Sequence, residues 1–183
     1  MRNKLLILIA VVLLTGTLFA GSGFHGGYSL ENPGKANNNG FYLGWHTEPK
    51  FMKYLGLDFH STFAFSTFEY TYGVAAKKDD AYHFHTMIMI GPKLLATFGK
   101  LEPFASIGGI FSFMVEESDW WGTDYFFGGG IFIKFGFDVN LSKKFGIGFE
   151  IEYDKPWGKK YAVGERLTNT IQDLMTFGIR INY

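Results

Sequence analysis

The sequence predicts an all-β fold: an eight-stranded antiparallel up-and-down transmembrane β-barrel, preceded by a cleavable signal peptide. Three observations lead to this prediction. Eight stretches alternate apolar with polar side chains, as strands do when lipid covers one face and a polar interior covers the other. Short and long connections alternate between these stretches. Aromatic residues make up 19% of the chain and glycines number 24, yet mean hydropathy is near neutral.

The N-terminal segment has the organisation of a secretory signal peptide. Basic residues precede an unbroken apolar run over residues 5–14, and a small, neutral segment follows as far as Ala20. The run is shorter than the roughly 20 apolar residues that a spanning helix needs. We therefore predict that residues 1–20 are removed and that residues 21–183 form one barrel domain, with a membrane anchor as the alternative.

Composition narrows the functional classes. The chain has no Cys, so disulfides cannot stabilise it and an N-terminal lipidated cysteine is excluded. The formal net charge is zero, which provides no basic field for nucleic acid. We expect no nucleic-acid partner, and we expect stability to come from backbone pairing.

The eight strands follow from the period-two alternation. They are expected at about residues 22–30, 40–48, 54–70, 82–97, 103–115, 128–140, 145–154 and 171–183. The connections at 49–53, 98–102 and 141–144 are short, and those at 31–39, 71–81, 116–127 and 155–170 are longer. Tight turns on one side and long loops on the other are typical of transmembrane barrels. Pro92 interrupts the fourth strand and predicts a bulge or kink beside Gly91.

The two faces of each strand differ in chemistry. In the sixth strand, for example, Ile133 and Phe135 alternate with Lys134 and Gly136. A soluble sandwich or lipocalin would enclose the large apolar set. Here the other set consists of small residues and charges of both signs, which fits the narrow interior of a small barrel. The polar set is therefore predicted to face inward.

Charged residues of the inner face form the first candidate site. They are Asp58, Lys93, Lys134, Asp138, Glu150, Glu152 and Arg180. Arg180 lies on the last strand and the two glutamates on its hairpin neighbour, so salt bridges between these strands are expected. A network that plugs the lumen is the favoured interpretation, because a lone charge in a narrow lumen is costly. A charge-gated pore is the alternative.

The His83-Phe84-His85 motif is a second, weaker candidate site. Period two places both imidazoles on the inner face, and Glu116 lies with inward parity at the same end of the barrel. Two His and one carboxylate could hold a divalent metal ion. His-x-His alone is a weak signal, so we expect these side chains to fill the barrel mouth, with no metal and no other cofactor.

Aromatic and basic residues of the long connections form the third candidate site. The proposed interaction residues are Trp120, Trp121, Trp157, Lys159 and Lys160. Exposed aromatics beside charges are typical of interaction surfaces, and the lysines could contact anionic lipopolysaccharide or a host polyanion. Trp45 and Tyr125, Phe126 and Phe127 are instead expected in the aromatic girdle at the lipid headgroups.

The chain resembles the small eight-stranded outer-membrane barrels of the OmpX type and the membrane domain of OmpA in four features. These are the alternation of short and long hairpin connections, the glycine-rich inner faces, the Gly91-Pro92-Lys93 stretch and the C-terminal strand. In such proteins the last strand is presented to the barrel-assembly machinery; here it would use Phe177, Ile179, Ile181 and Tyr183. The resemblance implies a monomer in the outer membrane of a double-membraned bacterium, surrounded by outer-membrane lipid.

The resemblance also limits the functions that we expect for this chain. Members of this class act as adhesins, surface shields or membrane-stabilising proteins, and more rarely as enzymes on lipid. We predict a non-enzymatic protein with a structural or surface-interaction role through its extracellular loops, which could bind a host or other surface ligand. A narrow ion or small-solute channel is the alternative, and a lipid-acting or metal-dependent enzyme is a more distant one.

The face assignment predicts the outcome of two neighbouring substitutions. A cationic side chain facing the middle of the lipid costs about 2–4 kcal/mol, whereas a polar side chain in the lumen need not. Phe135→Arg should therefore destabilise the barrel far more than Gly136→Ser, as measured by unfolding in lipid vesicles.

Overall fold

The computed structural model describes residues 22–31, 39–72, 77–118, 122–143, 145–162, 165–167 and 173–183. Its strands are β1 Ser22–Glu31, β2 Asn39–Thr47, β3 Lys50–Met52, β4 Leu55–Tyr72, β5 Lys77–Leu95, β6 Leu101–Ser118, β7 Gly122–Asn140, β8 Gly146–Ala162, β9 Glu165–Leu167 and β10 Leu174–Asn182. Within these residues, no helix is long and apolar enough to cross a membrane.

Eight of the strands close into an antiparallel barrel. Hydrogen-bonded neighbours follow the order β10–β1–β2–β4–β5–β6–β7–β8, and β8 pairs in turn with β10. The short strands β3 and β9 pair antiparallel with one end of β4 and one end of β8. A closed ring leaves no sheet edge, which is what a sheet needs if it is to cross hydrocarbon. The predicted eight-stranded antiparallel barrel is confirmed.

The inner and outer faces are those that the alternation predicts. On β7, Lys134 and Asp138 are buried, whereas Ile131 and Phe135 are exposed. The same alternation runs along β10. Small residues on the inner face make room for large ones on facing strands. A side chain at Gly178, for instance, would overlap the hydroxyl of Tyr42.

Several central strands are longer than predicted. β7 begins at Gly122 and β8 continues to Ala162, so most of residues 122–127 and 155–162, which were expected in loops, pair as strands. The expectation was wrong because the glycines at 128–130 on β7 and Lys155 and Pro156 on β8 interrupt the apolar alternation, although strand pairing continues through them. We call the barrel end with the termini and the three short connections the turn end, and the opposite end the loop end.

Strand length divides the barrel into two unequal parts. β4 to β8 contain 17–19 residues each, whereas β1, β2 and β10 contain 9 or 10. A tilted strand crosses a bilayer with about 9–11 residues. Five neighbouring strands therefore continue past the apolar belt at the loop end. We call these projecting parts of β4–β5, β6–β7 and β8–β9 the extended hairpins.

Pro92 interrupts a ladder without inserting a residue. Its pairing with Leu57 of β4 continues the β4–β5 register, and the β5–β6 ladder resumes at Lys93 in the register that it had before the gap. The predicted bulge is wrong, because the missing N–H costs ladder pairing only on the β6 side and the ring lies on the exposed outer face.

Gly136→Ser is not the mild change that the sequence suggested. A Cβ at Gly136 would overlap the Phe104 ring and the carbonyl oxygen of Phe149. The lumen is too tightly packed there for any added side chain, so a test of the faces needs another control.

Two exposed apolar residues at different depths provide that control. Phe135 is 58% exposed within β7, and Leu141 is 53% exposed in the turn after it. Phe135→Arg should lower the free energy of unfolding by about 2–4 kcal/mol and Leu141→Arg by about 0–1 kcal/mol, because the cost of a cation falls toward the membrane interface. Urea unfolding from phospholipid vesicles measures both. Equal losses would contradict the assignment of the outer face to lipid.

Candidate functional site

Arg180 is the centre of an ion-pair network in the lumen near the turn end. Its Nε donates to Asp138 Oδ1 at 3.1 Å, its Nη1 donates to Glu150 Oε2 at 3.2 Å, and its Nη2 lies 2.7 Å from Glu48 Oε1. The guanidinium is fully buried. Carboxylates from β7, β8 and the connection after β2 thus neutralise one cation, which a buried charge requires.

Glu48 is a member of this network that sequence reasoning missed. It directly follows β2 with the same inward parity as Tyr42, and it reaches into the lumen to Lys93 as well as Arg180. Both cations lie over the Phe104 ring, 3.8 Å and 4.4 Å from its centroid. Burial opposes ionisation of Glu48, yet Arg180 and Lys93 hold the pKa of its carboxyl below the usual range.

A second group of charges is centred on Lys134. Its Nζ lies 2.8 Å from Asp58 Oδ2, and Asp58 Oδ1 lies 2.8 Å from His60 Nδ1. The other ring nitrogen of His60 lies 2.7 Å from Glu152 Oε2. Of the two glutamates expected to meet Arg180, Glu150 does so, whereas Glu152 faces His60 and Lys134.

His25 and Tyr42 join the network from the short strands. His25 Nδ1 lies 2.5 Å from Glu150 Oε1 and its Nε2 lies 3.2 Å from the carbonyl oxygen of Ser61. The Tyr42 hydroxyl donates to Glu150 Oε1 at 3.1 Å. Both residues were absent from the predicted network, although inward parity on β1 and β2 could have identified them.

An apolar layer separates this network from the loop end. On the inner face of β5, Met87 and Met89 lie between His85 and Lys93. The layer consists of the buried residues Tyr42, Ala64, Met87, Met89, Ile110, Phe132 and Leu174. Side chains therefore fill the barrel across its width at this level.

The His83 imidazole bridges strands at the loop end of the lumen. Its Nδ1 lies 2.6 Å from Glu31 Oε2, and its Nε2 lies 2.9 Å from Glu116 Oε2. His85 Nε2 instead lies 2.6 Å from Ser112 Oγ. In the described parts of the chain, no group of three or more His, Asp or Glu side chains is arranged to hold a metal ion. His83, His85 and Glu116 thus link β1, β5 and β6 instead of converging on one point.

The interaction candidates are described only in part. Trp120 and Trp121, and the side chains of Lys159 and Lys160, lie outside the described residues. Trp157 is exposed on the outer face of β8, as are Tyr125 and Phe127 on β7.

Phe126 and Trp45 were also expected in the girdle, but unlike Tyr125 and Phe127 they are buried. Phe126 is buried against Met114, so its place in the girdle was wrong: β7 extends through it with inward parity. Trp45 packs on Phe59 with ring centroids 5.4 Å apart.

The C-terminal strand presents apolar residues outward. Phe177, Ile179 and Ile181 alternate with buried neighbours along β10, and Tyr183 is exposed beyond its end. Tyr183 also lies near Phe24 of β1, with ring centroids 5.9 Å apart. These residues therefore line the outer surface at the seam where β10 meets β1.

The geometry of Arg180 predicts a specific energetic coupling. Arg180→Leu removes the cation that three lumen carboxylates share and should cost about 3–5 kcal/mol. Asp138→Asn should recover part of that loss, with a coupling energy of about 0.5–3 kcal/mol in a double-mutant cycle measured by urea unfolding. The matched cycle of Arg180→Leu with Glu152→Gln should couple less, since Glu152 pairs with His60 and Lys134. Equal coupling in both cycles would mean that these contacts are not specific.

No protein-family model and no curated protein matches the sequence. Solved structures match at the level of the fold. The outer membrane protein OprG from Pseudomonas aeruginosa has a TM-score of 0.59 and 14% identity, over 90% of this chain and 96% of that chain. Neisserial surface protein A has a TM-score of 0.56 and 9% identity, over 88% of this chain and 92% of that chain. The chain thus has the fold of the small eight-stranded outer-membrane β-barrels.

Proposed function

We propose that this protein is a non-enzymatic, monomeric outer-membrane barrel of a double-membraned bacterium, whose extended hairpins present an interaction surface to an external ligand. The observation that supports this most is the unequal strand length. β1, β2 and β10 are long enough to cross a bilayer and little more, whereas β4 to β8 exceed that length by several residues each. A barrel that only spans the membrane does not need strands longer than the bilayer requires.

The packing of the lumen supports a scaffold over a pore. Arg180, Lys134 and Lys93 are buried and paired with carboxylates, and the apolar layer around Met87 and Phe132 fills the next level. A permeating ion would have to displace these contacts. Breaking buried pairs costs several kcal/mol, which favours a closed lumen.

The outer face of the extended hairpins supports the interaction role. Tyr125 and Phe127, which were expected in the girdle, lie farther along β7 from its turn-end residue Asn140 than the roughly 11 residues that cross a bilayer, so we place them with the exposed Trp157 beyond the lipid. The charged Glu117 and Lys155 are exposed beside them on β6 and β8. Large aromatics beside charges supply most of the binding energy in many protein interfaces. Trp120, Trp121, Lys159 and Lys160 are proposed to belong to the same surface.

Export and assembly complete the proposal. Residues 1–20 act as the signal peptide, and the outward row of β10 is recognised by the barrel-assembly machinery. That row consists of Phe177, Ile179, Ile181 and Tyr183. It fits this role because β10 is the last strand to be made and must find β1 to close the sheet.

Substitution of the exposed aromatics tests the proposed surface. Deleting residues 157–161 would remove paired strand from β8, so point changes are preferable. The triple variant Tyr125→Ser, Phe127→Ser and Trp157→Ser should keep heat-modifiable migration on gels. Bacteria that carry it should bind cultured epithelial cells at least about tenfold less well, because aromatic anchors dominate such interfaces.

The control variant removes as many exposed apolar side chains from the turn end. Phe51→Ser, Phe98→Ser and Leu141→Ser should leave binding unchanged. Purified wild-type protein in planar bilayers should show no unit conductance. Binding that persists in the hairpin variant, together with currents that change in Lys93→Gln or Lys134→Gln, would reject the proposal in favour of a narrow channel.

A further inference from the structure

The turn end combines exposed apolar side chains with lysine in each of its three connections. The connections occupy residues 48–54, 96–100 and 141–145. Their large apolar residues are at least 40% exposed; these are Phe51, Met52, Tyr54, Phe98, Leu141 and Phe145. Turns that lie in water are usually polar, so the repetition of this pattern in all three connections requires an explanation.

The exposed charge at this end has one sign. Lys53, Lys100 and Lys143 are exposed, one in each connection. Lys50, in the first connection, is also exposed, and its Nζ lies 2.5 Å from Glu102 Oε1. Among the residues that the structure describes at this end, every exposed charged side chain is a lysine.

The acidic residues of the turn end are turned away from solvent. Glu48 is directed into the lumen, where Lys93 and Arg180 neutralise it. Glu102 is buried beside Lys50. The lysines that face outward are therefore not balanced by exposed acidic side chains in the described parts of these connections.

The exposed charged side chains that the structure describes at the loop end include both signs. There Glu117 and Lys155 are both exposed on the outer faces of β6 and β8. The chain as a whole is neutral, with 17 basic and 17 acidic residues. The positive charge of the turn end is thus a property of its placement and not of the overall composition.

These features match the boundary between acyl chains and headgroups. Aromatic side chains favour this depth, and lysines extend from it so that the ammonium reaches the polar layer. In this structure Lys53 Nζ lies 4.9 Å from the centroid of the Tyr54 ring, which places the cation beside an aromatic of the same turn. An anionic lipid surface attracts each such lysine.

We propose that the turn end is a docking surface for anionic glycerophospholipid. The apolar residues of the three connections lie at the acyl-chain boundary, and Lys53, Lys100 and Lys143 contact the headgroup phosphates. Charge complementarity then selects an anionic over a zwitterionic headgroup. This inference goes beyond the proposed function, because a barrel can present a ligand surface at one end without any headgroup preference at the other.

Spin-labelled lipids in vesicles test this selectivity. The full-length mature protein is refolded into phosphatidylcholine vesicles that contain a trace of spin-labelled phosphatidylglycerol or phosphatidylcholine. The motionally restricted fraction gives the ratio of the two association constants. The expected preference for phosphatidylglycerol is about fivefold at each turn, the ratio that corresponds to about 1 kcal/mol per lysine. It should fall with added salt.

Two triple variants locate the effect. Lys53→Gln, Lys100→Gln and Lys143→Gln should bring the ratio close to one. Lys77→Gln, Lys78→Gln and Arg166→Gln remove the same charge from the loop end and should retain most of the preference. An unchanged ratio in the first variant, or equal loss in both, would overturn the proposal.

Two further measurements exclude misfolding and effects of the lysines other than their charge. Heat-modifiable migration establishes that each variant is folded, and the Lys→Arg version of the turn-end triple, which keeps the charge, should keep the preference. If it does not, the lysines act otherwise than by charge and the proposal fails. Failure of the wild-type chain to fold into any vesicle would instead reject its membrane location, and with it the proposed function.

Discussion

The rest of the structure depends on the hydrogen-bonded seam between β1 and β10. The seam pairs residues from Gly23 with Asn182 to Glu31 with Leu174. Hydrocarbon offers no substitute partner for an unpaired N–H or carbonyl, so a sheet without this seam would expose two costly edges. The same strand that closes the sheet carries Arg180 into the lumen, opposite His25. The pairing of β10 with β1 therefore completes both the closure of the backbone and the neutralisation of the lumen charges.

The lumen network also fixes which closure is possible. A slip of one residue would reverse the faces of β10 and direct Arg180 to lipid, away from Asp138 and Glu150. Hydrophobic patterning opposes the same slip, because it would bring Ile179 into the lumen. Packing adds a third constraint, since Tyr42 occupies the space that Gly178 leaves. Three different interactions thus specify one register, and a buried network that adds little net stability still excludes alternatives.

Sequence reasoning succeeded where lipid imposes a period of two and failed where it does not. The hairpin order and the faces of Lys134 and Phe135 followed from alternation across the apolar belt. Glu48 shares the inward parity of Tyr42 in the second predicted strand, but it was missed because it is the last residue of that strand and its partners come from distant strands. Beyond the belt the outer face of β8 becomes polar at Lys155, so strand and loop look alike in the sequence. Pairing partners such as His60 for Glu152 depend on side-chain reach across the lumen, which a one-dimensional pattern does not encode.

The two ends of the barrel therefore differ in what holds their exposed side chains in place. At the turn end, short connections hold apolar side chains and lysines at a fixed depth, since a turn of a few residues between paired strands has little freedom. At the loop end, β4 to β8 keep their hydrogen bonds beyond the lipid, and so a rigid sheet and not a flexible loop carries Tyr125 and Trp157. A rigid surface loses little conformational entropy on binding. The ion pairs of the lumen lie between the two ends, so either surface can change its side chains without disturbing the register that holds both.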